Sequence, residues 1–150
     1  MTALRVEVLT DRLDTAGWLE DMAGADTGAL ATFVGLCRSD GGRLEALELE
    51  HYPGMAEAEI ERIGETAMAR WPVTAIVAVH RSGVVPVGEP IVLVAAASAH
   101  RAAAFDAVRF VMDFLKTDAP FWKREHLVGG GRGEWIEANS RDDDARARWG

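Results

Sequence analysis

Only two side chains in this sequence carry a primary amine, Lys116 and Lys123; every other fixed positive charge is an arginine. Both lysines fall in the stretch DFLKTDAPFWKRE, residues 113–125. An ammonium can lose its proton when it is desolvated, whereas a guanidinium cannot, so lysine kept at two nearby positions offers acid–base chemistry that arginine does not. Base composition that favours arginine and leaves two lysines by chance is the bland alternative. With about 100° per helical residue, Phe105, Met112 and Lys116 fall in one narrow arc, which predicts that Lys116 continues an apolar stripe and is partly desolvated. Asp118-Ala119-Pro120 then breaks the helix, since the residue before proline avoids helical angles and proline donates no backbone bond. If FWKRE is the strand after that turn, Lys123 returns towards Lys116. Two ammoniums held close repel, and burial adds to this, so at least one is expected to have a lowered pKa and to move protons near neutral pH. In the competing reading both lysines snorkel from the rim of the core and pair with Asp113, Asp118 or Glu125.

Two further clusters could bind anions. Ser98-Ala99-His100-Arg101 closes an apolar run just before a helical pattern, and free N–H groups at a helix start, with His100 and Arg101 beside them, suit an oxyanion or phosphate. A helix-entry pair without ligand is the alternative. The second is GLCRSDGGR, residues 35–43, an irregular loop with Arg38 near its start; such an arginine can equally be solvated. His51, in EHYPGM, reads as a strand end before a proline turn and a helix entry.

The elements that must position these groups follow from periodicity. Residues 4–9, 28–36 and 44–52 read as strands, with a short helix from about Asp14 to Ala23 after the first. From Met55 to Trp71 the apolar positions 56, 60, 63 and 67 recur at helical spacing, and Pro72 stops the pattern. Residues 74–81 and 90–100 are apolar enough to be central strands buried on both faces, joined by VVPVGE, whose Pro and Gly suit a turn. A second long helix runs from about Arg101 to Lys116, with Phe105, Val108, Met112 and Leu115 on its stripe. The remainder reads as a strand FWKREHLV, a turn GGGRG, a strand EWIEA and a short exposed helix SRDDDARARW. This order is α+β, and its length of 150 residues, without repeat or linker, reads as one domain over 1–150.

Composition narrows the function. A net charge of -8 disfavours nonspecific attraction to nucleic acid or anionic lipid, so any anion site must be a local basic pocket. No run approaches the roughly 20 apolar residues of a membrane span, and the opening MTALRVEVL lacks the pattern of a secretory leader, which makes a soluble protein the expectation. The single cysteine, Cys37, excludes an internal disulfide and a cysteine-rich zinc site and fits a reducing compartment, the cytoplasm. Histidines at 51, 80, 100 and 126 have no HxxxH or HxH spacing, so no metal site is expected.

Taken in order, TFVG (32–35) with Arg38, LELEHYPGM (47–55), RWP (70–72), VHRSG (79–83), SAHR (98–101) and above all MDFLKTDAPFWKRE (112–125) resemble the catalytic (large) subunit family of molybdopterin synthase. The likeness extends from about residue 28 to 137. It implies an α/β-hammerhead fold on a largely antiparallel sheet with two long helices, and a homodimer at the core of a heterotetramer. It also implies sulfur transfer: a small ubiquitin-like sulfur-carrier subunit inserts a C-terminal thiocarboxylate beside cyclic pyranopterin monophosphate, which becomes the dithiolene of molybdopterin, with no cofactor of the enzyme's own. Carried over residue by residue, Lys116 and Lys123 form the catalytic pair, Arg38, His100 and Arg101 contact substrate, and Arg124 and Glu125 line the pocket. Lys123 is assigned proton transfer and transition-state charge, with transient capture of the partner's tail as a further role open to its amine. Lys116 is assigned to positioning the tail and holding down the pKa of Lys123.

The sequence departs from the family pattern in places. The loop after Arg38 is about two residues shorter than is common, Leu36 replaces a basic residue, GGGRG is about two longer, and Asn139 stands where relatives often carry an arginine, with Arg141 close by as a substitute. The family typically has no cysteine at position 37, so Cys37 reads as a small loop residue and not as a persulfide carrier. Two competing classes are a non-catalytic subunit that binds an anion or a partner's tail, and a phosphate-ester hydrolase. The amines argue against the first; the lack of a metal-ligand cluster or GxSxG turn argues against the second.

Overall fold

In a computed structural model, residues 3–136 and 147–149 are described. Their order is β1 (Leu4–Leu9), α1 (Thr15–Leu19), β2 (Ala29–Leu36), β3 (Leu44–His51), α2 (Met55–Arg70), β4 (Val73–Arg81), β5 (Gly83–Pro86), β6 (Pro90–Ser98), α3 (Arg101–Asp118) and β7 (Phe121–Leu127). This is the α+β arrangement the patterning predicts. A four-stranded sheet runs β1-β4-β6-β2, parallel only between β1 and β4, and a three-stranded antiparallel sheet runs β5-β3-β7.

The apolar runs of β4 and β6 lie at the centre of the larger sheet and are covered on both faces. On one face Ile76, Ala78, Val92, Val94 and Ala96 pack against Ile60, Ile63 and Ala67 of α2 and Ala104, Ala107, Val111 and Leu115 of α3. On the other, Val77, Val79, Leu93 and Ala95 meet Leu13 and Met22, with Trp18 and Leu19 of α1 alongside. Each fully buried Ile or Val contributes roughly 1.5–3 kcal/mol of hydrophobic stabilisation, so this double-sided sandwich holds the fold together. The predicted α2 stripe 56, 60, 63, 67 is fully buried. Gly54, at φ +85°, turns the chain into α2, and its N–H donates to Glu57 Oε1 at 2.9 Å.

The connection read as a turn is different. Gly83–Pro86 is a strand paired with β3, Leu47 facing Val85 and Leu49 facing Gly83, and only Val87–Glu89 turns. Gly83, at φ +84°, swings the chain out of β4 and into the second sheet, and Pro86 is tolerated because β5 is an edge strand. A small third core of Cys37, Leu49 and Val85 joins the two sheets. Helix α1 is shorter than predicted; Asp14 caps it, accepting from Gly17 N–H at 3.1 Å. Of the predicted strand EWIEA only Ile136 bridges, to Lys123, and Glu137 and Ala138 lie outside the described residues. So does most of the predicted C-terminal helix. Its last tryptophan is not a solvent-facing group: Trp149 packs on Trp71 and Phe110 and donates to Asp113 at 2.6 Å.

Candidate functional site

Helix α3, the proline turn and β7 deliver the lysines. Lys116 stands in the last turn of α3 but faces outward, against the prediction that it extends the apolar stripe. The stripe is centred one residue away, on Ala104, Ala107, Val111 and Leu115, so the arc shared by Phe105 and Lys116 lies at its margin; Phe105 is 63% exposed. Ala119 is extended and buried, and its carbonyl accepts from Phe121 N–H at 2.8 Å, closing the turn into β7. Lys123 is half-buried, and both its backbone N–H and its C=O are taken up on one side. It lies opposite Leu49 of β3, and on its free edge it exchanges two hydrogen bonds with Ile136, of 3.1 and 2.6 Å.

Strand alternation puts Phe121, Lys123 and Glu125 on one face and Trp122, Arg124 and His126 on the other. Phe121 stacks on His80 with ring centroids 3.9 Å apart and planes 18° apart, and His51 lies 5.7 Å away. His80 is 4% exposed, and its Nδ1 donates to the carbonyl of Arg81 at 2.8 Å. Burial pushes its pKa down to about 3, against the raising effect of that hydrogen bond, and the charges of Lys116 and His51 push the same way as burial. The imidazole is therefore neutral, and Lys116 lies within its electrostatic reach. His80 is the site residue that the sequence reading passed over. It sits in VHRSG, where an ionisable side chain interrupts an otherwise apolar central strand, and that interruption was the available signal.

The predicted pocket residues Arg124 and Glu125 are engaged on opposite faces. Arg124 Nε donates to Glu48 at 2.9 Å, and its guanidinium lies 4.5 Å over the ring of Trp135; His126 Nε2 meets the same Glu48 oxygen at 2.8 Å. Glu48 is held below the usual carboxylate range by hydrogen bonds from Arg124 and then His126. Glu125 is gripped by Arg43, which also binds Asp40. Arg38 is exposed in the loop that follows β2.

His100 and Arg101 are elsewhere. They are exposed at the start of α3, beside Gly28, whose missing side chain makes room for the carbonyl of Ala99. At about 1.5 Å per residue, Arg101 and Lys116 are about 22 Å apart along the helix. One copy of the chain therefore does not gather the lysines, His100 and Arg101 into one hollow, as the sequence reading expected. A cavity of about 470 Å³ is walled by Glu50, His51, Tyr52, Trp122 and Trp135, but Glu50 and Trp122 project from the face opposite Lys123. Cys37 is 1% exposed, and burial raises its thiol pKa, against a backbone hydrogen bond with Leu47. It is not placed to carry sulfur.

Fold and site together define an α+β protein whose two sheets and long helix bring two amines, an arginine loop and a buried neutral imidazole to one end. The chain belongs to the MoaE protein family, whose model matches residues 8–118. It is 55% identical over 146 residues to the molybdopterin synthase catalytic subunit of Rhizobium meliloti, covering 96% of this chain and 94% of that one. Among solved structures it is similar to a molybdopterin cofactor biosynthesis protein E from Burkholderia multivorans, with 43% identity, a TM-score of 0.83 and coverage of 99% and 97% of the two chains. It is also similar to a molybdopterin synthase from Staphylococcus aureus, with 30% identity, a TM-score of 0.79 and coverage of 91% and 98%.

Proposed function

We infer that this chain is the catalytic subunit of a molybdopterin synthase, moving sulfur from the C-terminal thiocarboxylate of a small ubiquitin-like subunit to cyclic pyranopterin monophosphate and so forming the dithiolene. What supports this reading is that α3 ends with Lys116 within electrostatic reach of His80, which stacks on Phe121 two residues before Lys123 on β7, in a chain so similar to catalytic subunits along its length.

The chemistry asks for cations and for a mobile proton. A cyclic phosphate, a thiocarboxylate and the oxyanions that form during substitution are all stabilised by fixed donors in a shielded place. Lys123, rigid on β7, supplies transition-state charge and proton transfer; Lys116, on the helix end, positions the tail. Arg38 contributes charge from the neighbouring loop. His80, neutral and buried, adds no competing positive charge and braces Phe121, which fixes where β7 begins.

His100 and Arg101 enter this reading through a second copy of the chain, because their own lysines lie about 22 Å along α3. The edge strand β2 supports such a homodimer. It is an open sheet edge that exposes Leu30 and Val34 on one face by 41 and 37%, Phe33 on the other by 41%, and Leu36 at its end by 56%. The heterotetramer then has two small subunits, one for each lysine pair. The free, buried Cys37 fits a reducing compartment, and the enzyme is assigned to the cytoplasm.

The test is reconstitution with a thiocarboxylated small subunit and the cyclic pterin, reading dithiolene product. Lys123→Ala is expected to lose about 100-fold or more in turnover, the scale of a lost proton-transfer group, while still binding the small subunit. Lys116→Ala is expected to lose less. Normal turnover by either variant would remove that lysine from the mechanism.

A further inference from the structure

Arg43 does not belong to the lysine pair, yet it holds the carboxylate nearest in sequence to Lys123 on the same strand face. Its Nη1 and Nη2 donate to Glu125 Oε1 and Oε2 at 3.0 and 2.9 Å, a two-pronged grip. The same guanidinium reaches Asp40 Oδ2 through Nε and Nη2, at 3.0 and 2.6 Å. The loop it fastens is tightly wound: Asp40, Gly41 and Gly42 have φ of +53, +69 and +89°, and Gly42 N–H donates to Ser39 Oγ at 3.2 Å. Val128 N–H donates to the Arg43 carbonyl at 3.0 Å, which ties the loop's end to the end of β7.

On a strand, residues two apart share a face about 6.5–7 Å from each other, so Glu125 is the natural counter-ion of Lys123 if nothing else takes it. We propose that Arg43 is a positioning residue: by engaging both oxygens of Glu125 it keeps that carboxylate from closing on the ammonium of Lys123, and it fixes the Arg38 loop beside the lysine strand. This rests on the reading of Lys123 as the acting amine. The charged and titratable groups around the lysine strand face are Glu125 on β7, Arg38, Asp40 and Arg43 from the loop, Lys116 from α3, and His51 and His80 against Phe121. Glu125 is the one carboxylate of this group on Lys123's own strand, and Arg43 occupies it. Arg43 is half-exposed, with 49% side-chain exposure, so the grip acts on geometry and charge more than on stability.

The test is a double-mutant cycle in the reconstituted enzyme, with kcat measured from pH 6 to 10. Arg43→Met frees Glu125 to close on Lys123 and is expected to lower kcat roughly tenfold across that range. Its melting temperature should stay within a few degrees of the parent. Arg43→Met combined with Glu125→Gln should return the profile to that of Glu125→Gln alone. A double variant as impaired as Arg43→Met, or an Arg43→Met profile like the parent's, overturns the proposal. Lys123→Ala runs beside them: if it turns over normally the lysine reading itself fails, whereas an inactive Lys123→Ala with no rescue in the double variant refutes only the role of Arg43.

Discussion

His80 and Cys37 are both buried and both ionisable, and burial drives each to its neutral form. For His80 this makes stability depend on pH. Its folded pKa lies near 3, below the ordinary value of 6.5, so between these limits the unfolded chain binds the extra proton. Stability is therefore flat in this term above pH 6.5 and falls as the pH drops towards 3, by a few kcal/mol at about pH 4. Thermal melts across that range should show the acid slope in the parent and a much smaller one in His80→Phe, which keeps an aromatic ring against Phe121; equal slopes would mean that other groups dominate. Cys37 should resist thiol reagents until the chain unfolds, and Cys37→Ser should leave sulfur transfer intact. A large loss of activity in that variant would restore the persulfide route.

At the scale of elements, the sequence was most legible where a period repeats many times. The α2 stripe, the two central strands and the proline stop after α3 are where spacing puts them, and Ile60→Ala should destabilise the fold by 2–5 kcal/mol, about the cost of a core cavity, in a denaturant titration. Two misreadings share a cause, because both depended on tertiary partners. VVPVGE carries turn residues, yet half of it is β5, since β3 offers an open edge and Gly83 provides the positive φ that reaches it. Along α3, Phe105, Met112 and Lys116 form a plausible stripe, but small alanines at 104 and 107 bring the helix close to the sheet on a neighbouring face, which leaves Phe105 and Lys116 outside. The lysine strand was legible from the break at Pro120; its bracing by His80 was not, because the stack joins residues forty-one positions apart. If β2 is the dimer edge, Leu36→Lys should convert the protein to monomers in sedimentation and reduce turnover, whereas an unchanged mass would move the interface elsewhere.

Across the whole molecule, the opposite ends of α3 explain why one chain holds only part of the cationic set. An acidic chain of net charge -8 gathers positive groups locally: the lysines and Arg38 at one end, His100 and Arg101 at the other. Arg43, Arg81 and Arg124 are committed to Glu125, Glu89 and Glu48. Fixed ion pairs thus hold these three guanidiniums in place. The most direct measurement is single-turnover formation of dithiolene from a thiocarboxylated small subunit and cyclic pyranopterin monophosphate, parent against Lys123→Ala, at equal occupancy of the small subunit. The account predicts product from the parent and a rate lower by about 100-fold or more from the variant; equal rates would contradict it.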